Sequence, residues 1–299
     1  MRFAVTGGAG FVGSHLVKLL VQKGHDVIVV DNLHTGKRDN LTDVINKIEF
    51  LDIDIRNYDL MEKKLIGLDG IFHQAALTIV QDSFRNTEEY YDVNVRGTEN
   101  IFKIAQKNNY KVIFASSSSV YGHQEKVPIA EDAKKNPINP YGKTKLEDEY
   151  LMEKYSKLGT KIIGLRYFNI FGKGQTIDYA GVITKFIDRI KEKKPPRVFG
   201  DGSQIRDFIY VEDIAEMNLI AMESKIGNLL VNVGTGKSIS ILELANMMIK
   251  ISGLKLEPIM ENPLEGDVRQ SQADTKILEN NFRWKAESSL ENWLKNKIF

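Results

Sequence analysis

Tyr141 and Lys145 stand four residues apart in "NPYGKTKLEDEY", which is one turn of a helix. A phenol beside an ammonium gives up its proton more readily than a free one, so the pair can move a proton while a neighbouring carbon is oxidised or reduced. The spacing alone is weak, since eleven tyrosines in a lysine-rich chain produce about one such match by chance, and Tyr150 with Lys154 repeats it. Helix geometry separates the two pairs. Asn139 and Pro140 have the character of an N-cap and a first-turn proline, which places Tyr141 and Lys145 on one face at the start of the helix. Tyr150 lies about 13 Å further along and is turned to the opposite face, so it is expected to be a packing residue.

Upstream, the apolar run "KVIFA" ends in four serines, Ser116 to Ser119. An apolar β-rich run closing on hydroxyls reads as a buried strand whose end reaches a ligand, and not as a linker.

The third constellation is "RFAVTGGAGFVGSHLVKLLVQKGHDVIVVD", with Gly7, Gly10 and Gly13 between a strand and an amphipathic helix carrying Phe11, Leu16, Leu19 and Leu20. Three glycines are common; three within a thirty-residue βαβ unit are not. They let the backbone approach a pyrophosphate, which then sits at the positive end of the helix. Asp31 closes the second strand, where a carboxylate accepts the ribose hydroxyls of NAD and repels the extra phosphate of NADP. Lys37 and Arg38 nearby are the features that argue for NADP.

These residues need a scaffold that gathers them at one edge. "RFAVTG", "DVIVVD", "KIEFLDID", "GIFHQAA", "KVIFASS", "KIIGLRYFNIF" and "LLVNVG" read as strands separated by helix-length segments. Continuous apolar strands with intervening helices imply an α/β, doubly wound parallel sheet covered on both faces, a Rossmann arrangement. Residues 1–166 form the expected dinucleotide-binding domain, completed by 207–236. Residues 167–299 form a smaller C-terminal lobe for substrate, and Pro195 and Pro196 are expected to end its first helix.

The bulk composition narrows the chemistry. With 299 residues, 42% of them hydrophobic, the chain can bury a substantial core. The absence of cysteine excludes thiolate catalysis and sulfur-ligated metals, and five dispersed histidines show no metal-binding spacing, so no metal is expected. A net charge of +1 without basic blocks gives no reason to invoke nucleic acid or an anionic membrane surface, and no apolar run reaches membrane length. A cytoplasmic location is the resulting expectation.

Taken in order, "TGGAGFVGSHL", "DIRN", "SSSSVYG", "NPYGKTK", "LRYFNIFG", "VFGDGSQIRDFIYVEDIA", "NVGTG" and "GDVRQSQAD" resemble the extended short-chain dehydrogenase/reductase family, and within it the nucleotide-sugar epimerase/dehydratase group. The resemblance covers nearly the whole chain. It implies a catalytic triad of Ser117, Tyr141 and Lys145. It also implies a cofactor set of Gly7, Gly10, Phe11, Val12, Gly13, Asp31, Asn32, Thr35, Gly36, Asp54, Ile55, Gln74, Ala75, Ala76 and Asn94, together with Tyr141 and Lys145, all for NAD. Helices around 87–108 and 141–158 commonly pair between subunits in this family, so a homodimer is expected.

On the same resemblance, Ser118 and Ser119 fall where 4,6-dehydratases carry acids. Neutral hydroxyls are poor bases, so dehydration is disfavoured. The remaining expectation is a 4-epimerase of UDP-hexoses that oxidises and re-reduces the sugar at C4 on tightly bound NAD. A dehydratase, a 4-ketosugar reductase or an NAD-binding regulator are the alternatives. A diphosphate needs paired cations, for which Arg206 and Arg269 are candidates. Ser117, Ser119, Tyr141, Asn169, Val182, Val198, Phe199, Asp267 and Ser271 complete the expected substrate set. Leu264 stands where many relatives have an arginine, and Ser271 where 4-epimerases differ between a bulky tyrosine and a small residue that leaves room for an N-acetyl group.

Overall fold

The computed structural model describes residues 1–175 and 181–298. The first six strands are β1 (Arg2–Thr6), β2 (Asp26–Val30), β3 (Ile48–Leu51), β4 (Gly70–His73), β5 (Lys111–Ser117) and β6 (Ile162–Tyr167). The later, mostly shorter ones are β7 (Asn169–Phe171), β8 (Arg197–Phe199), β9 (Ile205–Arg206), β10 (Phe208–Tyr210), β11 (Leu229–Val233), β12 (Ile239–Ser240), β13 (Ile259–Glu261) and β14 (Gln270–Ser271). A seven-stranded sheet runs in the order β11-β6-β5-β4-β1-β2-β3, parallel throughout.

Period-two alternation assigns the apolar side chains to two covered faces. Phe3, Val5, Val27 and Val29 point to one core, shared with Leu16 and Leu20 of the helix Phe11–Gln22 and Ile214 and Met217 of the helix Val211–Glu223. Ala4, Ile28 and Val30 point to the other, against Ile101 and Phe102 of the helix Gly97–Asn108 and Met152 and Tyr155 of the helix Pro140–Lys157. Helix cover on both faces explains why these strands are continuously apolar.

The expected long strand "KIIGLRYFNIF" divides into β6 and β7. After Tyr167 the chain leaves the main sheet, and β7 pairs with β10. The smaller lobe packs Phe171, Phe186, Val198, Leu244 and Leu294 into a separate cluster. Its first helix, Val182–Lys191, ends four residues before Pro195, with Lys193 in the left-handed region at φ 57°. Asp207 ties the connections together. Its carboxylate, fully buried, accepts hydrogen bonds from the Thr235 amide and hydroxyl and from the Gly236 and Ala273 amides, at 2.6–3.1 Å. Among the described residues no helix is long and apolar enough to cross a membrane.

Candidate active site

Strand order reverses between β1 and β4, and a cleft of about 560 Å³ opens along the carboxyl ends of the parallel strands at that point. Gly7 (φ 67°) passes over the end of β4 so closely that a Cβ there would lie 2.7 Å from the Ala75 amide nitrogen. A Cβ on Gly13 would lie 2.1 Å from the Gly7 carbonyl oxygen, so only glycine permits this packing of loop on helix. The helix Phe11–Gln22 has no side-chain N-cap and no acid in its first turn, which leaves its amide end open to an anion.

At the far end, Asp31 accepts the Ala9 amide on Oδ2 (2.9 Å) and the Leu33 amide on Oδ1 (2.8 Å). Burial raises its pKa, and these amides oppose that shift. Lone pairs remain for ribose hydroxyls. Gly36 lies behind the carboxylate, where a Cβ would come within 2.9 Å of both oxygens. Arg38 stacks over the Phe50 ring at 4.0 Å, and the Lys37 amide donates to Ala9 O. Asn32 donates to Asp54 (2.9 Å), and Arg56 grips the same carboxylate and Asp92, holding the Asp54 pKa below its usual value.

At the other end Ser117 closes β5, 8% exposed, its Oγ accepting the Ser119 amide at 3.1 Å. The helix carrying the acid–base candidates starts as its sequence predicts: Asn139 Oδ1 accepts the Gly142 amide at 2.7 Å, and Pro140 is the first helical residue. Tyr141 and Lys145 face the cleft with Ser117 and Asn169. Lys145 is 3% exposed, and its Nζ lies 3.1 Å from Asp148 Oδ2.

Of the expected cofactor set, Gly7, Gly10, Phe11, Val12, Gly13, Asp31, Asn32, Thr35, Asp54, Ile55, Gln74, Ala75 and Ala76 line this one cleft. Asn94 does not. It is fully buried in a π-helical turn (Tyr91–Arg96), bonds both backbone groups of Leu77 (2.8 and 3.0 Å) and donates to Thr144 at 3.0 Å, so it shapes the wall from behind. Arg56, Thr78, Glu89, Tyr167, Phe168, Gln175 and Lys185 also line the cleft. Arg56, Tyr167 and Phe168 sit inside motifs already quoted; Gln175 and Lys185 carry no such signal.

Of the expected substrate residues of the smaller lobe, Asn169 lines the cleft and the others lie off its wall. Arg206 is buried in an ion pair with Asp267, and its Nη1 donates to Ile205 O. Ser271 is buried beside it on β14, while Arg269 is exposed. Val198 is sealed in the lobe's apolar cluster, its strand paired with β13, and Phe199 O accepts from Gln204 Nε2. Leu264 is 42% exposed. Tyr150, expected to pack, is 54% exposed on the outer face, because its turn of helix points away from the sheet.

The sequence profile of the NAD dependent epimerase/dehydratase family matches residues 3–234. The chain belongs to this family. NAD is its cofactor, and the open helix end, the close-packed glycines and the Asp31 carboxylate form a cradle of the right chemistry for it. A putative UDP-glucose 4-epimerase of Methanocaldococcus jannaschii is 41% identical over 308 residues, covering 98% of each chain. UDP-glucose 4-epimerase of Thermotoga maritima, solved with UDP-glucose, superposes with a TM-score of 0.94 at 35% identity, covering 100% of this chain and 97% of that one. UDP-N-acetylglucosamine 4-epimerase of Methanobrevibacter ruminantium, solved with UDP-N-acetylmuramic acid, gives 0.93 at 35% identity, with 99% and 96% covered.

Proposed function

We propose that the chain is a UDP-hexose 4-epimerase, interconverting UDP-glucose and UDP-galactose through a transient 4-keto sugar. The observation that carries this reading is the meeting of Ser117, Tyr141 and Lys145 in the cleft that also holds the glycine loop and Asp31. Tyr141 takes the proton of the sugar 4-hydroxyl, and Ser117 hydrogen-bonds the same oxygen. Bound NAD supplies the hydride acceptor for C4 and, in the reverse sense, the donor. Lys145 holds its positive charge beside the phenol, and Tyr141 returns its proton when the ketone is reduced from the other face.

The hydroxyls at 118 and 119 favour epimerisation over dehydration, which needs an acid and a base at neighbouring positions. Among the described residues the carboxylates of the cleft wall are Asp31, Asp54 and Glu89, none of them on β5 or the turn that follows it. Arg206, Asp267 and Arg269 serve the diphosphate and ribose in this reading, with Arg206 exchanging Asp267 for phosphate. Asn169, Val182, Val198 and Phe199 belong to the same nucleotide-sugar side. The small Ser271 extends the substrate range to the N-acetylhexosamine pair. Incubation with UDP-galactose and with UDP-N-acetylglucosamine, followed by the anomeric NMR signals, tests both parts. No turnover of the first sinks the epimerase reading; no turnover of the second sinks the role given to Ser271.

Assembly as a homodimer goes with this reading. Tyr91 and Tyr150 are exposed beside Val95 and Leu151 on a groove between neighbouring helical segments. Sedimentation of Tyr150→Glu against the parent protein measures it, and an unchanged monomer in both contradicts it.

A further inference from the structure

Three residues beyond Lys145, Asp148 is fully buried and is not one of the expected site residues. Its Oδ2 meets the Lys145 ammonium at 3.1 Å, while its Oδ1 has no hydrogen-bond partner among the described residues. A buried carboxylate with an idle oxygen is costly, and a core position ordinarily takes a neutral residue.

A chain of hydrogen bonds ends beside it. The Ala75 amide donates to Thr6 Oγ1 (3.3 Å), and Thr6 Oγ1 lies 2.7 Å from His73 Nδ1. His73 Nε2 lies 2.8 Å from Thr98 Oγ1. Thr98 in turn lies beside Asp148.

We propose that Asp148 is a positioning residue for the acid–base pair: its carboxylate holds the Lys145 ammonium from the core side and sets the potential in which Tyr141 exchanges its proton. The inference rests on the reading of Tyr141 and Lys145 as the acid–base pair. The other groups that face Asp148 do not compete for this role. His73, on β4, is held neutral by burial and by Lys145, its pKa lowered to about 3. Thr98, from the helix Gly97–Asn108, is uncharged. Glu149, next on the same helix, is engaged by Arg166 of β6 and by Ser116 of β5. Burial raises Asp148 to about 6, with Lys145 opposing, so above that pH it carries a negative charge against the ammonium.

Asp148→Asn and Asp148→Leu both remove the charge, and the leucine keeps the core filled should the asparagine variant not fold. In either, both limbs of the kcat/KM profile for UDP-galactose move to lower pH by about one unit, and Asp148→Glu returns them towards the parent. The same shift is read without substrate in the NAD-loaded protein, as the tyrosinate absorbance that Tyr141→Phe abolishes. A profile that changes only in height, or a tyrosinate signal that does not move, overturns the proposal. A shifted tyrosinate signal without turnover of any UDP-hexose upholds it and removes the substrate reading instead.

Discussion

Arg166 lays its guanidinium on Glu149 through two parallel hydrogen bonds, Nε to Oε1 at 2.7 Å and Nη2 to Oε2 at 2.8 Å, with neither side chain more than 3% exposed. Ser116 donates to the same Oε1 at 2.7 Å, and Arg166 Nη1 reaches the Tyr121 hydroxyl at 2.7 Å and Glu131 O at 2.9 Å. The strand ending in Ser117 is thus clamped to the helix that carries Tyr141 and Lys145. Glu149→Gln leaves a buried guanidinium without its counter-charge and should cost about 3–5 kcal/mol in urea unfolding. A loss below about 1 kcal/mol would mean that water or Glu131 substitutes for the clamp.

The glycine loop yields a binding prediction. A methyl on Gly13 cannot fit against the Gly7 carbonyl without moving the loop. Gly13→Ala should weaken NAD binding by at least about tenfold in a fluorescence titration, by displacing the first-turn amides from the pyrophosphate. Unchanged affinity would show that the loop relaxes freely.

Tyr141→Phe removes one hydroxyl from the cleft and nothing from the fold. Turnover should fall at least about a hundredfold while NAD binding stays, since a positioned acid–base group contributes on that scale. Near-normal turnover would reassign the proton transfer.

His73 makes stability depend on acid. Burial takes its pKa from 6.5 to about 3, so below pH 6.5 the unfolded chain binds a proton that the folded chain refuses. Its share of stability is complete above pH 6.5 and is lost as pH falls towards 3, on the order of 5 kcal/mol in all. The difference in unfolding free energy between the parent protein and His73→Gln, followed from pH 7 to pH 4, should narrow as pH falls. A difference that stays constant would locate the acid sensitivity elsewhere.

Much of the scaffold is legible in sequence because its signals are local. The seven apolar runs each supply a strand of the main sheet, and the Asn139 cap can be read from two residues. Where geometry depends on distant partners, sequence says less. Nothing in "LRYFNIF" marks the exit from the sheet at Phe168, since both strands are equally apolar. Asn94 was expected near the cofactor; its side chain is spent on Leu77 and Thr144, contacts 17 and 50 residues away. Asp148 was visible at i+3 from Lys145, but any helix surface offers such pairs. Only its burial separates it from the exposed pair of Lys157 with Glu153.

In the proposed epimerisation, hydrogen removed from C4 of a UDP-hexose returns to C4 within the same cleft. UDP-galactose carrying deuterium at C4, incubated with the protein in ordinary water and read by NMR and mass spectrometry, tests it. The expected product is UDP-glucose with the deuterium retained at C4. A 4-keto-6-deoxy product, label lost to solvent, or unchanged UDP-galactose would contradict it.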